Sequence, residues 1–290
     1  MTYRIRHLTV YRYTQPASLS YNELCLGLRP VANQTVISHS NVMDPVPDLC
    51  RDRVDHFGNR WLSAAWEKPL TRLSLDFNHR VEVADPHPHG LPWGPTVSEA
   101  REFWSKAPRD PAMAPFWFAS SFVRRSDAFG DYGRDLFTDR TPLLEAVMAL
   151  TLKIREEFEY SPTATTISTP VEEVARTRQG VCQDFAHFQL SVLCSLGVPC
   201  RYVSGYLNTV PPAGHPKIRG ADASHAWIGV FCPGVGWVDF DPTNGLLVRD
   251  GHITLAWGRD YADVAPLKGV VLGGGGQKLT VEVDVDQERG

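Results

Sequence analysis

Cys182 is the side chain in this sequence best placed to act as a nucleophile. It follows Gly180 and Val181, and the apolar spacing after it predicts that a helix begins at this point. A thiol reacts as its thiolate, and the unpaired backbone amides of a helix N-terminus stabilise both that anion and an oxyanion on a substrate carbonyl. Most of the other five cysteines are expected to be small buried hydrophobes: Cys25, Cys50, Cys194, Cys200 and Cys232.

A base for this thiol has to come from one of the ten histidines. His187 lies five residues after Cys182 on the same predicted helix, roughly 140° around its axis, and so points elsewhere. His215 lies in a loop rich in proline and glycine. His225 begins a predicted strand and shares a face with Trp227. His225 is therefore the candidate base.

Strand register indicates a carboxylate that would orient this base. The glycine-rich turn before Trp237 predicts a hairpin in which Phe231 lies opposite Trp237. Asp241 then lies diagonal to His225 at roughly 7–8 Å, close enough for its carboxylate to bind an imidazole N–H. Asp239 shares that face one step nearer the turn, and a slip of one residue would break the geometry. Nucleophile, base and orienter together suit attack on an amide carbonyl.

The elements that must position these residues change along the chain. Residues 1–95 predict a β domain of sandwich type, because polar and apolar residues alternate from the start and turn residues separate short strands. Residues 96–140 predict a packed connector, in which Thr96 and Glu99 have the spacing of a capping box.

Residues 141–290 predict a catalytic core with a C-terminal strand that can join either sheet. Helix signals occur at Thr141 and Pro142 and again at Thr169 and Pro170, with the second helix expected to end at Gly180. The Cys182 helix should carry one apolar stripe and stop near residue 197. Strands are then predicted at residues 201–207, 224–231, 237–241 and 279–285.

Four blocks of this region resemble the bacterial transglutaminase-like family. They are Gly180-Val181-Cys182-Gln183-Asp184-Phe185-Ala186-His187, residues 196–206, Ser224-His225-Ala226-Trp227 and residues 236–243, in the right order over about 65 residues. The resemblance implies an α+β fold with a papain-like transglutaminase core, in which the helix bearing the cysteine packs on an antiparallel sheet. By motif, Cys182 would be the nucleophile, His225 the base and Asp241, in Asp-Pro-Thr, the orienter.

The resemblance also implies acyl transfer on peptide or side-chain amides through a thioester. The oxyanion would be held by the Cys182 backbone amide, with Tyr160 as the candidate side chain. Hydrolysis by a peptidase or amidase is expected, because amine transfer also needs an acceptor site that excludes water. The alternatives are a protein-glutamine transglutaminase and a non-catalytic binding or scaffold protein. The implied partners are a peptide or protein substrate and an ATP-grasp-type ligase.

Composition argues against several other classes. A net charge of −4 without a block of lysine or arginine predicts neither a nucleic-acid partner nor a membrane partner. The start of the chain has no continuous apolar stretch, which predicts a cytoplasmic location. No metal or cofactor is expected, since the sequence has no Cys-x-x-Cys pair and no acidic calcium loop of the animal-transglutaminase kind. Asp85, His87 and His89 are the alternative metal site, but a proline-rich surface loop explains them equally well.

Overall fold

The computed structural model describes residues 1–106, 111–209 and 224–288. Its strands are β1 (Thr2–Gly27), β2 (Gln34–Asp44), β3 (Leu49–Val54), β4 (Arg60–Trp66), β5 (Leu70–Val83), β6 (Glu159–Tyr160), β7 (Gln179–Gly180), β8 (Cys200–Leu207), β9 (Ser224–Cys232), β10 (Gly236–Asp241), β11 (Leu246–Leu247), β12 (His252–Gly258), β13 (Leu267–Gly273) and β14 (Gln277–Gln287). Its helices are α1 (Val97–Lys106), α2 (Asp127–Gly133), α3 (Leu143–Glu157), α4 (Val171–Thr177), α5 (Cys182–Ser195) and α6 (Tyr261–Val264), with 3₁₀ turns at Ala114–Trp117 and Arg134–Leu136. His215 lies outside the described residues.

The N-terminal strands form one curled antiparallel sheet that is continuous through the long strand β1. The first half of β1 pairs with β5 and β14, and the second half pairs with β4 and β13. The pairing with β5 shifts register between Arg12 and Ala17, where β1 passes from one set of partners to the other. β2 extends the sheet beyond β5, and β3 extends it beyond β4. The expected strand-rich N-terminal region is confirmed.

The two C-terminal strands return to this N-terminal sheet. Ile5 lies opposite Val285, and Leu24 lies opposite Leu267. Without these partners, one side of β1 would present a long row of unpaired backbone amides and carbonyls. The sequence does not decide which sheet the last strand joins. In the structure this strand, β14, pairs with β1 of the N-terminal sheet.

The second sheet has the strand order β11-β10-β9-β8-β12, and α5 packs against β8 and β9. This confirms the predicted α+β core in which the cysteine-bearing helix lies on an antiparallel sheet. Every residue of α5 from Asp184 to Cys194 is buried. The prediction of a single buried apolar stripe on this helix therefore underestimates how much of its surface is buried. A helix surrounded on all sides has no solvent-facing stripe to reveal in its sequence.

The second predicted helix is shorter than expected. α4 begins after Pro170 and ends at Thr177, three residues before Gly180. Arg178 adopts a left-handed backbone conformation with φ 55°, and its N–H donates to the Val174 carbonyl at 2.8 Å. It closes the helix in the conformation that glycine usually supplies. Gly180 lies instead in β7.

The start of α1 has the predicted capping box. Glu99 Oε2 accepts the Thr96 backbone N–H at 2.8 Å, and Thr96 Oγ1 accepts the Glu99 N–H at 3.3 Å. The helices of the described residues are otherwise modest in length. Within residues 1–106, 111–209 and 224–288, none is long and apolar enough to cross a membrane.

Candidate active site

Cys182 is the first residue of α5, and its side chain is partly exposed. The turn into the helix is closed by Asp184, whose Oδ2 accepts the Val181 backbone N–H at 2.8 Å and the Thr165 hydroxyl at 2.6 Å. The backbone approaches this carboxylate closely, since a Cβ at Gly180 would lie 2.6 Å from the same oxygen. Glycine before the cysteine and aspartate after it therefore hold the thiol at a helix N-terminus.

His225 and Asp241 lie where the strand register predicts them. Phe231 is opposite Trp237 across the hairpin, as expected. His225 Nε2 lies 2.7 Å from Asp241 Oδ2, and the Asp241 side chain is completely buried. The structure thus brings a histidine on β9 and a carboxylate on β10 into direct hydrogen bonding beside the N-terminus of α5.

The hydrogen bonds of His225 and Asp241 decide their charge. Burial lowers the pKa of His225, but the hydrogen bonds of its ring to Asp241 and Cys182 outweigh burial and raise the pKa to about 10. Burial raises the pKa of the Asp241 carboxyl, but hydrogen bonds from His225 and His252 outweigh it and hold that pKa well below its usual range. At neutral pH the pair is therefore an imidazolium and a carboxylate. Because Nε2 binds Asp241, Nδ1 is the ring nitrogen left for Cys182.

Two residues that contact Asp241 were not predicted from the sequence. Asn244 Nδ2 donates to Asp241 Oδ2 at 2.7 Å, and its backbone N–H donates to Oδ1 at 3.1 Å. His252 Nε2 lies 3.1 Å from the same Oδ2. Asn244 had a local signal, because an aspartate that opens a turn commonly binds backbone N–H groups two and three residues later. No local sequence signal indicated His252, because it lies on β12, which is separated from the strand of Asp241 by β9 and β8.

Asp239, the alternative orienter, is engaged elsewhere. Its Oδ1 accepts Arg201 Nη2 at 3.2 Å, and its Oδ2 accepts Trp227 Nε1 at 3.1 Å. Arg201 reaches Asp239 across Gly229, where a Cβ would lie only 2.8 Å from Arg201 Nε. The structure therefore places Asp241, and not Asp239, in contact with His225.

Tyr160 lies beside the segment that leads to the cysteine. β6 and β7 pair in parallel with Tyr160 opposite Gly180, two residues before Cys182. Tyr160 is 53% exposed, and its ring lies edge-to-face with Phe185, with centroids 6.5 Å apart. Burial, followed by the charge of Cys182, raises the pKa of the Tyr160 hydroxyl. The Tyr160 hydroxyl is thus neutral, and a negative charge on Cys182 contributes to its raised pKa.

His187 packs in the core rather than facing the cysteine. Its Nε2 accepts the Tyr261 backbone N–H at 3.2 Å, and its ring stacks on Phe122 with centroids 5.0 Å apart. Burial lowers the pKa of His187 to about 4, against a smaller opposing effect of Asp260. The side chain is neutral at pH 7 and serves as a buried acceptor.

The loop that contains Asp85 and His87, the alternative metal site, is held in place by hydrogen bonds from Arg249. Arg249 Nη1 donates to Asp85 Oδ2 at 2.8 Å and to the His87 carbonyl at 2.6 Å. Among the described residues, the potential metal ligands that come together are His225, Asp241 and His252, whose donor atoms lie within 4.8 Å of one another. Hydrogen bonds from both histidines to one carboxylate oxygen account for that arrangement.

Comparisons with known proteins agree with this architecture. The sequence profile of the transglutaminase-like superfamily matches residues 131–242, and that of the bacterial transglutaminase-like N-terminal region matches residues 3–82. An uncharacterized protein of Mycobacterium bovis is 35% identical over 294 residues, which cover 98% of this chain and 91% of that protein.

Two further similarities bear on fold and core. The solved structure of a "putative cysteine protease" from Cytophaga hutchinsonii covers 100% of this chain and 92% of its own, with a TM-score of 0.74 at 21% identity, and so shares the fold. The protein-glutamine gamma-glutamyltransferase of Pseudomonas aeruginosa is 31% identical over 131 residues, which cover 41% of this chain and 20% of that protein. The chain belongs to the transglutaminase-like superfamily and carries the bacterial transglutaminase-like N-terminal region.

Proposed function

We propose that this protein is a cysteine-nucleophile enzyme that hydrolyses peptide or side-chain amides through a thioester. One observation carries the proposal: Cys182 opens α5 within hydrogen-bonding reach of His225, whose other ring nitrogen is held by the buried Asp241. Membership of the transglutaminase-like superfamily supports cysteine-based acyl transfer as the general class of reaction.

In the first half of the reaction, the Cys182 thiolate attacks the amide carbonyl carbon, and the carbonyl electron pair moves onto oxygen. The Cys182 backbone N–H, at the start of α5, and the Tyr160 hydroxyl, on the strand paired with Gly180, donate to that oxyanion. The intermediate collapses with loss of the amine, which takes its proton from His225 Nδ1. Asp241 keeps the imidazole oriented and stabilises its charged form.

In the second half, His225 accepts a proton from water, and the resulting hydroxide attacks the thioester. The carboxylic acid leaves, and Cys182 returns to its starting state. A primary amine in place of water would give the transglutaminase reaction with the same residues. The relative from Pseudomonas aeruginosa named a protein-glutamine gamma-glutamyltransferase favours this second candidate. Hydrolysis is preferred because water needs no acceptor site of its own.

A thiol-directed probe tests the enzyme proposal. Wild type, Cys182→Ala and Cys50→Ala are incubated at neutral pH with a peptide amide that carries a thiol-reactive group. Cys50 is an exposed free thiol and therefore a matched control. Wild type and Cys50→Ala should be labelled at Cys182, and Cys182→Ala should not. A wild type that stays unlabelled at Cys182 would favour the scaffold alternative.

Product analysis separates the two reactions. Ammonia or amine release from peptide amides is measured with and without an added primary amine. Hydrolysis predicts free acid in both cases, whereas incorporation of the added amine would assign transglutaminase activity. The cytoplasmic location and the ATP-grasp-type ligase partner stay predictions.

A further inference from the structure

β12 forms one edge of the second sheet. Within the part of the chain that the structure describes, it pairs with β8 alone, and its other edge has no partner strand. A strand edge presents backbone N–H and C=O groups that must be paired or covered. Two buried side-chain amides of the N-terminal region cover this edge: Gln34, the first residue of β2, and Asn59, directly before β4.

Each amide binds one residue of β12 in both directions. Gln34 Nε2 donates to the Thr254 carbonyl at 2.8 Å, and Gln34 Oε1 accepts the Thr254 N–H at 2.8 Å. Asn59 Nδ2 donates to the Trp257 carbonyl at 2.8 Å, and Asn59 Oδ1 accepts the Trp257 N–H at 3.0 Å. A side-chain amide has the donor and the acceptor of a peptide unit. Gln34 and Asn59 therefore take the place of two residues of a neighbouring strand.

The spacing of the two contacts matches an irregularity in β12. Along a regular antiparallel edge, outward-facing backbone groups recur at every second residue. Thr254 and Trp257 are three residues apart, and the register of β12 against β8 shifts between Thr254 and Ala256. The shift places one extra residue in β12, so that Thr254 and Trp257 both direct their backbone groups outward. The two amides therefore fit this register of β12 and would not fit one displaced by a residue.

Arg29 joins the two amides to each other. Its carbonyl accepts Gln34 Nε2 at 2.9 Å, and its Nη1 donates to Asn59 Oδ1 at 2.7 Å. Its guanidinium also lies over the Trp257 ring, with Cζ 3.2 Å from the ring centroid. Arg29, Gln34 and Asn59 are all buried, so a polar group that lost its partner here could not turn to water instead.

One row across the second sheet leads from Gln34 to the candidate base. Thr254 lies opposite Gly205 of β8, and Gly205 lies opposite His225 of β9. The row is tightly packed, because a Cβ at Gly205 would lie 2.2 Å from the Ile253 carbonyl oxygen. A displacement of β12 at Thr254 is therefore passed on to the strands that carry Gly205 and His225.

The same strand carries His252 to Asp241. His252 lies two residues before Thr254, and its Nε2 lies 3.1 Å from Asp241 Oδ2. A carboxylate only accepts hydrogen bonds, so Nε2 carries the hydrogen of this bond. His225 Nε2 binds the same oxygen at 2.7 Å. β12 therefore supplies one of the donors that orient the oxygen on which His225 depends.

We propose that Gln34 and Asn59 of the N-terminal region are positioning residues of the active site, because they hold the strand that carries His252. Gln34 has the larger effect, since its contact lies in the row that contains His225. Its loss should leave Cys182 in place and misalign the base. The expected change in kcat rests on the proposed function, whereas the expected changes in β12 and in the thiol do not.

Hydrogen exchange, followed by NMR, measures the two contacts themselves. In wild type the amide hydrogens of Thr254 and Trp257 should exchange far more slowly than in an unfolded chain, because Gln34 and Asn59 accept them. Gln34→Met keeps a side chain of similar length and removes the amide, so the Thr254 hydrogen should exchange at least about fivefold faster. Asn59→Leu should do the same to the Trp257 hydrogen. Amides that are unprotected in wild type, or equally protected in the folded variants, would overturn the proposal.

The effect on the site is measured as the pH profile of Cys182 alkylation by iodoacetamide, followed by mass spectrometry of the Cys182 peptide. In Gln34→Met the profile should shift to higher pH, because a misaligned imidazolium stabilises the thiolate less. For amide hydrolysis, kcat should fall by about 10–100-fold while KM stays nearly unchanged. A Gln34→Met protein that is less stable but keeps the wild-type profile and kcat would show a purely structural role and would overturn the proposal.

Asn33→Ala is the matched control for Gln34→Met. The Asn33 side chain donates to the Ala84 carbonyl at 3.2 Å, within the N-terminal region, so exchange, profile and kcat should stay at wild-type values. Thermal unfolding identifies which variants are folded. The same changes in Asn33→Ala would contradict the assignment to Gln34. A wild type that hydrolyses no amide would contradict the proposed function alone, and exchange and alkylation would still decide the role of Gln34.

Discussion

His225 Nε2 lies 2.7 Å from Asp241 Oδ2, inside a region where the carboxylate is fully buried. Burial alone lowers the pKa of His225, so the value of about 10 depends on this partner and on Cys182. In Asp241→Asn the negative charge is lost and the pKa of His225 must fall. We expect kcat/KM for amide hydrolysis to fall by about 10²–10⁴-fold. The pH profile of Cys182 alkylation should also shift to higher pH, because an imidazolium that holds its proton less tightly stabilises the thiolate less.

Asp239→Asn is the matched control for that change. Asp239 binds Arg201 and Trp227 rather than His225, so its loss should lower the free energy of unfolding and leave the alkylation profile of the folded fraction in place. Denaturant unfolding and the alkylation profile are measured on both variants. An equal shift of the profile in Asp239→Asn, or none in Asp241→Asn, would contradict the assignment of Asp241.

Tyr160 offers a test of the oxyanion assignment. Tyr160→Phe keeps the ring that contacts Phe185 and removes only the hydroxyl. If that hydroxyl donates to the oxyanion, kcat should fall by about 10²–10³-fold. Alkylation of Cys182 by iodoacetamide forms no oxyanion, so its rate should change little. A parallel loss in both reactions would mean that Tyr160 affects the thiol itself.

The sequence predicts the candidate site well where the cause is local. A glycine, a helix start and a tight hairpin turn are short-range features, and they suffice to place Cys182 at a helix N-terminus and Asp241 diagonal to His225. His252 escapes such reasoning because it reaches Asp241 only through the strand order, in which β12 lies beyond β8. The pairing of β12 with β8, in which His252 lies opposite Leu207, does not follow from the periodicity of either strand.

The fold also contains features that local sequence patterns predict and features that they do not. The alternation of β1 predicts a strand but cannot reveal that its second half pairs with β13, more than two hundred residues later. The prediction that α4 ends at Gly180 is wrong, because Arg178 adopts the left-handed conformation that glycine usually supplies. The β1–β13 pairing is a tertiary contact, and neither it nor the end of α4 follows from local propensity.

Gly180 provides a stability test at the entrance to α5. A Cβ there would lie 2.6 Å from Asp184 Oδ2 and 2.8 Å from Asp184 Cβ, so Gly180→Ala must push apart the turn that places Cys182. We expect a loss of about 1–3 kcal/mol in the free energy of unfolding and a lower rate of Cys182 alkylation. Gly251→Ala is the control, because nothing lies within 4 Å of a Cβ at that position. Urea denaturation measures the free energy of unfolding of both variants. Similar losses of this free energy in Gly180→Ala and Gly251→Ala would contradict the steric argument.

His79 gives a prediction for stability against pH. It is buried in the N-terminal sheet, and burial, followed by the charges of His39 and His7, lowers its pKa to about 4. The unfolded chain, with a histidine pKa near 6.5, therefore binds more protons than the folded protein between these values. The contribution of neutral His79 is present above pH ~6.5 and is lost as the pH falls toward about 4.

His79→Phe keeps a ring in this place and cannot be protonated. Between pH ~6.5 and ~4 its free energy of unfolding should fall less steeply than that of wild type, by at most about 1.4 kcal/mol per pH unit. Urea denaturation at several pH values in this window measures both slopes. His89→Phe, at an exposed position in a loop, is the matched control for the loss of a histidine. If His79→Phe and wild type lose stability in parallel, then the buried imidazole of His79 is not a source of acid sensitivity.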